Sequence, residues 1–164
     1  MIKLIVLDVD GCLSDGKLIY SNDGVESKSF NVKDGLAISS WIKMGNHVAI
    51  ITGRKSNIVT RRAKELGIKH LYQGVKDKQR VLRELIESLG LSFCEVAAIG
   101  DDLNDYHMLK LVKKSFAPSD GVKEIKGIVK IVLEKKGGDG VVREMIDILV
   151  DDNNQREDFM RVWI

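Results

Sequence analysis

Cysteine is nearly missing from this chain: Cys12 and Cys94 are the only two among 164 residues. They lack metal-like spacing and read as reduced thiols of a cytoplasmic protein. An excess of charge is missing as well. Basic residues number 26 and acidic ones 24, for a net charge of +2. That balance argues against a dedicated nucleic-acid binder, while small anionic ligands stay open because local charge matters more than the total. No apolar run approaches the roughly 18 residues of a membrane span, and the first residues do not resemble a signal peptide, so no membrane partner is expected. Internal repeats, linkers and low-complexity tracts are absent too. What is present is a 44% apolar fraction, enough for a core and too much for a disordered chain. The length suits one domain over 1–164.

Short apolar, β-branched runs recur at Leu4–Leu7, Val48–Ile51, Val96–Ile99 and Ile128–Leu133. Near-continuous apolarity fits strands covered on both faces, as in a parallel sheet. Between them lie helical spacings. Val81, Leu82, Leu85, Ile86 and Leu89 precede Gly90; Ile58, Val59, Ala63 and Leu66 precede Gly67; Leu36 to Met44 precedes Gly45. Each glycine suits a helix C-terminus. Met108, Leu109 and Val112 suggest a shorter helix. Alternating strands and helices predict an α/β layered fold. One stretch, "KLIYSNDGVESKSF", breaks the alternation. Its Asp23-Gly24 turn between strand-like runs predicts an antiparallel hairpin of Lys17–Tyr20 with Val25–Phe30, projecting from the end of the first strand. The tail, about 151–164, turns polar and then apolar, as an end that is either frayed or docked.

The first strand ends in two acids, Asp8 and Asp10, within "DVDG". Ligands of open α/β sheets bind beyond the carboxyl ends of the strands. Thr52 and Gly53 follow the second apolar run, Asp101 and Asp102 the third, and Lys78 begins a helix that can reach the same crevice. Alone, each is ordinary: an N-cap, a turn, a solvated lysine. In this joint order they predict a site. Clustered carboxylates repel unless a cation lies among them, and oxygen ligands without histidine or cysteine spacing point to Mg²⁺. A metal, a lysine and a hydroxyl neutralise a phosphoryl group. The first acid is then placed to attack phosphorus, and the second to protonate the leaving oxygen and later activate water.

With "DVDG", "TG", Lys78 and "GDDLND" the chain resembles the haloacid dehalogenase superfamily of phosphatases. Longer stretches ("FNVKDGLAI", "ITGRKSNIVTRRAKELGI", "LYQGVKDK", "EKKGGDGVVRE") are similar to its branch acting on 3-deoxy-manno-octulosonate 8-phosphate, whose relatives act on nine-carbon sialic-acid-type phosphates. The resemblance implies a Rossmann-like parallel sheet sandwiched by helices, with no cap domain. It implies Asp8 as nucleophile, Asp10 as acid/base, and Thr52, Gly53 and Lys78 as phosphate binders. It implies Mg²⁺ on Asp8, Asp101 and the Asp10 carbonyl, with Asp102 and Asp105 supporting the site and Asp105 orienting Lys78. It further implies a cytoplasmic homotetramer that hydrolyses a small anionic sugar phosphate in lipopolysaccharide precursor synthesis. Arg54, in "TGR", resembles the eight-carbon enzymes, where a nine-carbon relative is expected to carry an acid. Cys12 and Ser14 stand where relatives more often have Val and Thr.

Other basic residues keep two readings. Arg61 and Arg62 suit a solvated helix face or an anionic substrate. Lys135, Lys136 and Arg143 suit a flexible connection or a sugar-acid carboxylate. A response-regulator receiver domain also gathers acids, Thr and Lys around Mg²⁺. Asp10 disfavours it, because an acid two residues after the nucleophile speeds hydrolysis whereas a phospho-switch needs a longer-lived phosphate.

Overall fold

The computed structural model describes all residues, Met1–Ile164. The apolar runs become β1 (Leu4–Leu7), β4 (His47–Ile51), β6 (Val96–Ile99) and β8 (Ile131–Val132), joined by β5 (His70–Tyr72) and β7 (Lys114–Ala117). These six strands form one sheet in the order β5-β4-β1-β6-β7-β8. Every neighbouring pair in it is parallel. β1 lies between β4 and β6, with Leu4 beside both His47 and Val96. Chain order reverses there, which opens a crevice at the carboxyl ends of these strands. The sheet, with helices on both faces, is the Rossmann-like α/β arrangement that the alternation predicts.

Period-two alternation divides β1 between two cores. Ile5 and Leu7 face one cluster with Trp41, Ile38, Phe116, Met145 and Leu149. Leu4 and Val6 face the other, with Leu82, Leu85, Met108 and Leu109. The first cluster is covered by α1 (Val32–Lys43) and α6 (Val141–Asp152), the second by α3 (Lys78–Ser88) and α4 (Tyr106–Leu111). Residues Asn57–Leu66 form α2, Lys123–Lys126 α5 and Arg156–Arg161 α7. Caps mark the helix starts: Asn31 accepts from the Lys33 amide, Ser56 from that of Ile58 and Asp77 from that of Arg80. These bonds satisfy backbone donors that the first helical turn leaves free. Gly67 ends α2 in the left-handed region, at φ 77°.

Two expectations need adjustment, and two strands have no counterpart among the apolar runs. The strand expected at Ile128–Leu133 keeps only Ile131–Val132, because Ile128 and Val129 turn after α5 to pack on the second cluster. β5 has only three residues and opens on His70, and β7, as long as β1, opens on Lys114 and Ser115, which break its apolar run. The hairpin forms, but its paired strands shrink to β2 (Ile19–Tyr20) and β3 (Glu26–Ser27). No second layer covers it: Leu18, Ile19, Tyr20 and Val25 are all exposed. Phe30 leaves the hairpin and packs on the first core. The tail is docked: α7 buries Phe159, and Trp163 donates to Ser40 on α1.

Candidate active site

The sheet delivers the acids. Asp8 directly follows β1 and is buried. The chain then turns tightly through Val9–Leu13, with Gly11 at φ 97°. A side chain at Gly11 would overlap the Asp101 carboxylate, so glycine lets the loops after β1 and β6 touch. Asp101 lies just beyond β6. After it, Asp102 caps a short 3₁₀ turn, Leu103–Asp105, through the Leu103 amide. Asp105 folds back to accept from the Asp101 and Asp102 amides. Thr52, at the end of β4, is buried and pinned by backbone bonds to Tyr72 and Val75.

Lys78 opens α3 and is 2% exposed. Its Nζ donates to Asp8 Oδ1 at 2.7 Å and to Asp105 Oδ1 at 2.6 Å. The resemblance gave Asp105 the task of orienting Lys78, and this bond is the contact such a task needs. Above this buried triad opens a cavity of about 190 Å³. Asp8, Asp10, Thr52, Gly53, Arg54 and Asp101 line it, together with Asp102 and Asn104. The acids expected to meet do meet.

One lysine does not neutralise this many acids. Burial first, then the Asp105 charge, lifts the Asp8 carboxyl to about 6 against the pull of Lys78. Burial, then Asp8, Asp105 and Asp102, lifts Asp101 to about 8. Lys78 is too little positive charge for both carboxyls, and a further cation beside them would favour their ionised forms. Oxygens of Asp8 and Asp101 and the Cys12 sulfur lie within 4.8 Å of one another. Burial, together with Asp8 and Asp101, holds the Cys12 thiol well above its usual range and therefore protonated. The effective donors are hard oxygens, a set that fits Mg²⁺.

The hairpin supplies groups that sequence reasoning missed. Lys28 is ion-paired with Asp10 and lies 3.2 Å from Glu26 Oε1. Arg54 stands 3.9 Å from Asp10 and 3.5 Å from Glu26, and donates to the Tyr20 hydroxyl at 3.0 Å. The signal available was the spacing of Glu26 and Lys28, two apart and so on one face of a strand. Other basic candidates do not line the cavity. Arg61 pairs with Glu65, Arg62 lies over Phe30, and Arg143 pairs with Asp147 and lies over Phe159. The "KKGGDG" segment is neither a loose connection nor a lining of this cavity. Gly138 donates to the Cys12 carbonyl at 2.9 Å, and a side chain at Gly137 would overlap the Gly11 carbonyl. It is a backbone brace behind the nucleophile loop.

The chain is similar to known proteins over most of its length. Residues 71–145 match the model of the haloacid dehalogenase-like hydrolases. The 3-deoxy-D-manno-octulosonate 8-phosphate phosphatase KdsC of Escherichia coli (strain K12) is 42% identical over 149 residues, 91% of this chain and 79% of that protein. The crystal structure of the Moraxella catarrhalis 3-deoxy-D-manno-octulosonate 8-phosphate phosphatase, in complex with magnesium ion, phosphate ion and a KDO molecule, superposes with a TM-score of 0.95 at 39% identity, covering 99% of this chain and 94% of that one. The cobalt-bound Haemophilus influenzae deoxy-D-mannose-octulosonate 8-phosphate phosphatase gives 0.89 at 37% identity, over 93% and 90%.

Proposed function

Because this chain belongs to the 3-deoxy-D-manno-octulosonate 8-phosphate phosphatase family of haloacid dehalogenase-like hydrolases and is a phosphomonoester hydrolase, we propose that it cleaves 3-deoxy-D-manno-octulosonate 8-phosphate to the free sugar acid and inorganic phosphate. The observation that carries this reading is the buried Asp8–Lys78–Asp105 triad under a cavity lined by Asp10, Thr52, Gly53 and Asp101.

Asp8 Oδ attacks phosphorus as the bond to the sugar oxygen breaks, forming an aspartyl-phosphate. Asp10 gives its proton to the departing oxygen. In the second step Asp10 takes a proton from water, whose oxygen attacks the same phosphorus and frees Asp8 and phosphate. The Thr52 hydroxyl, the Gly53 amide and Lys78 hold the phosphoryl oxygens where charge develops. The Asp8 and Asp101 carboxylates and the Asp10 carbonyl would hold Mg²⁺, which when bound would supply the charge neutralisation that lets an anionic phosphate approach anionic Asp8. Asp102 caps the turn behind it, and Arg54, at the mouth, offers a planar fork to the sugar acid.

The whole chain, 1–164, acts as one phosphatase domain in the cytoplasm, in lipopolysaccharide precursor synthesis. Exposed Ile19, Tyr20 and Val25 on the hairpin support a homotetramer that covers these edges. A tetrameric mass by light scattering is expected, and a monomeric mass at micromolar concentration would exclude it. The substrate is tested by phosphate release from the eight-carbon phosphate and from nine-carbon sialic-type 9-phosphates, in the wild type and in Arg54→Ala. Higher kcat/KM on the eight-carbon ester, falling in Arg54→Ala, is expected. Preference for a nine-carbon ester moves the assignment to that class. Release of one equivalent of free sugar with no phosphate would instead indicate a phospho-switch, which keeps the phosphoryl group on Asp8.

A further inference from the structure

The hairpin is the least covered part of the molecule, yet it holds one of its best shielded lysines. The Lys28 side chain is 0% exposed, while Ile19 and Tyr20 on the partner strand are more than half exposed. Hiding a lysine on an exposed ribbon costs desolvation and side-chain freedom, and a fixed partner must offset both. That partner is the Asp10 carboxyl. Lys28 is its hydrogen-bond donor, and no backbone amide of the loop that carries Asp10 bonds to it. Glu26, two residues before Lys28, lies 3.2 Å from Lys28 Nζ and 3.5 Å from Arg54. Arg54 in turn stands 3.9 Å from the other Asp10 oxygen. The carboxyl that must reach the leaving oxygen in one step and a water in the next is therefore oriented from the hairpin.

We propose that Lys28, held by Glu26, is a positioning residue for the acid/base group Asp10, so that the hairpin serves the chemical step. This rests on the two-step reading of Asp8 and Asp10 above. A side chain that only gripped substrate would act mainly on KM, and one that only stabilised the hairpin would act whatever stood at residue 10. A group acting through Asp10 lowers kcat and loses its effect once Asp10 is gone.

The experiment is a double-mutant cycle in saturating Mg²⁺ with p-nitrophenyl phosphate, whose use does not depend on which sugar phosphate the enzyme takes. The water-activating step of Asp10 is needed with any ester. Lys28→Met is expected to lower kcat by roughly 10- to 100-fold with KM unchanged, the scale of a misplaced reacting group. Lys28→Arg recovers most of the loss, because it restores a cation to Asp10. In an Asp10→Asn background Lys28→Met has no further effect. A loss confined to KM, or the same loss repeated in the Asp10→Asn background, overturns the proposal. The underlying mechanism has its own reading in the same data: if Asp10→Asn alone keeps normal kcat, the acid/base assignment itself is wrong, whatever Lys28 does.

Discussion

Asp8, Lys78 and Asp105 share one buried hydrogen-bonded unit, so their substitutions do not behave alike. Lys78→Met leaves two buried carboxyls facing each other. Breaking such a unit from one side costs about 3–5 kcal/mol, and urea denaturation in Mg²⁺-free buffer should show a loss of that order. Asp8→Asn keeps an oxygen for Lys78 but cannot attack phosphorus, so turnover falls to background while the thermal transition stays within the folded range. Asp10→Asn should lower kcat by about 10²- to 10⁴-fold, the usual contribution of a general acid/base. Asp8 and Asp10 were legible in the sequence because they end an apolar strand in a fixed order with Thr52, Lys78 and Asp101, whereas Asp105, inside a turn after β6, was marked by resemblance. Lys28 and Glu26 were not legible. Their partner Asp10 lies across a fold-back of the chain, and an acid and a base in a ribbon otherwise resemble ordinary solvated charges.

Strands were legible where an apolar run is unbroken, and β7, buried but opening on Lys114 and Ser115, was not. β1, β4 and β6 lie in the middle of the sheet, and their apolar runs are long enough to stand out. β5 is an edge strand of three residues, below the length at which a pattern is visible. α6 shows a subtler link. Its N-terminus has no capping side chain of its own, since Gly140 precedes it. The missing acceptor comes from α1: Asp34 Oδ1 accepts from the Arg143 amide at 2.8 Å. Its second oxygen is buried without a partner. Burial lifts Asp34 to about 6, against the pull of the Arg143 and Val142 amides. A carboxyl whose folded value lies above its unfolded one contributes stability below the unfolded value, and loses it as pH rises through about 6. Asp34→Asn keeps the acceptor without a charge to bury. With Mg²⁺ present, it should melt higher than the wild type at about pH 8, and the gap should narrow as pH falls from about 6 to below the ordinary aspartate value of 3.8. A lower melting temperature at the higher pH would mean that the charge itself strengthens the cap.

On the scale of the whole molecule the same sign governs the metal site. Asp8 and Asp101 are raised to about 6 and about 8, so the metal-free protein loses stability as pH rises through those values. Mg²⁺ competes with those protons, and its stabilisation therefore grows with pH. Calorimetry with Mg²⁺ and with a chelator should give curves that lie close together at about pH 5 and well apart at about pH 8. Equal separation at both would show that protons and metal do not share these carboxyls. The layered architecture was readable from the alternation of apolar runs, but the brace between the "KKGGDG" segment and the nucleophile loop was not, because two backbones meet there without side chains to announce it. Gly137→Ala must push the Gly11 carbonyl aside, at about 1–3 kcal/mol, the usual cost of overpacking. A saturation mutagenesis map of catalysis would then show a loss at residue 137 that grows with side-chain size, although the reaction passes it by. At such a place the active site depends on the absence of a side chain, and a search for functional residues by their chemistry passes over it.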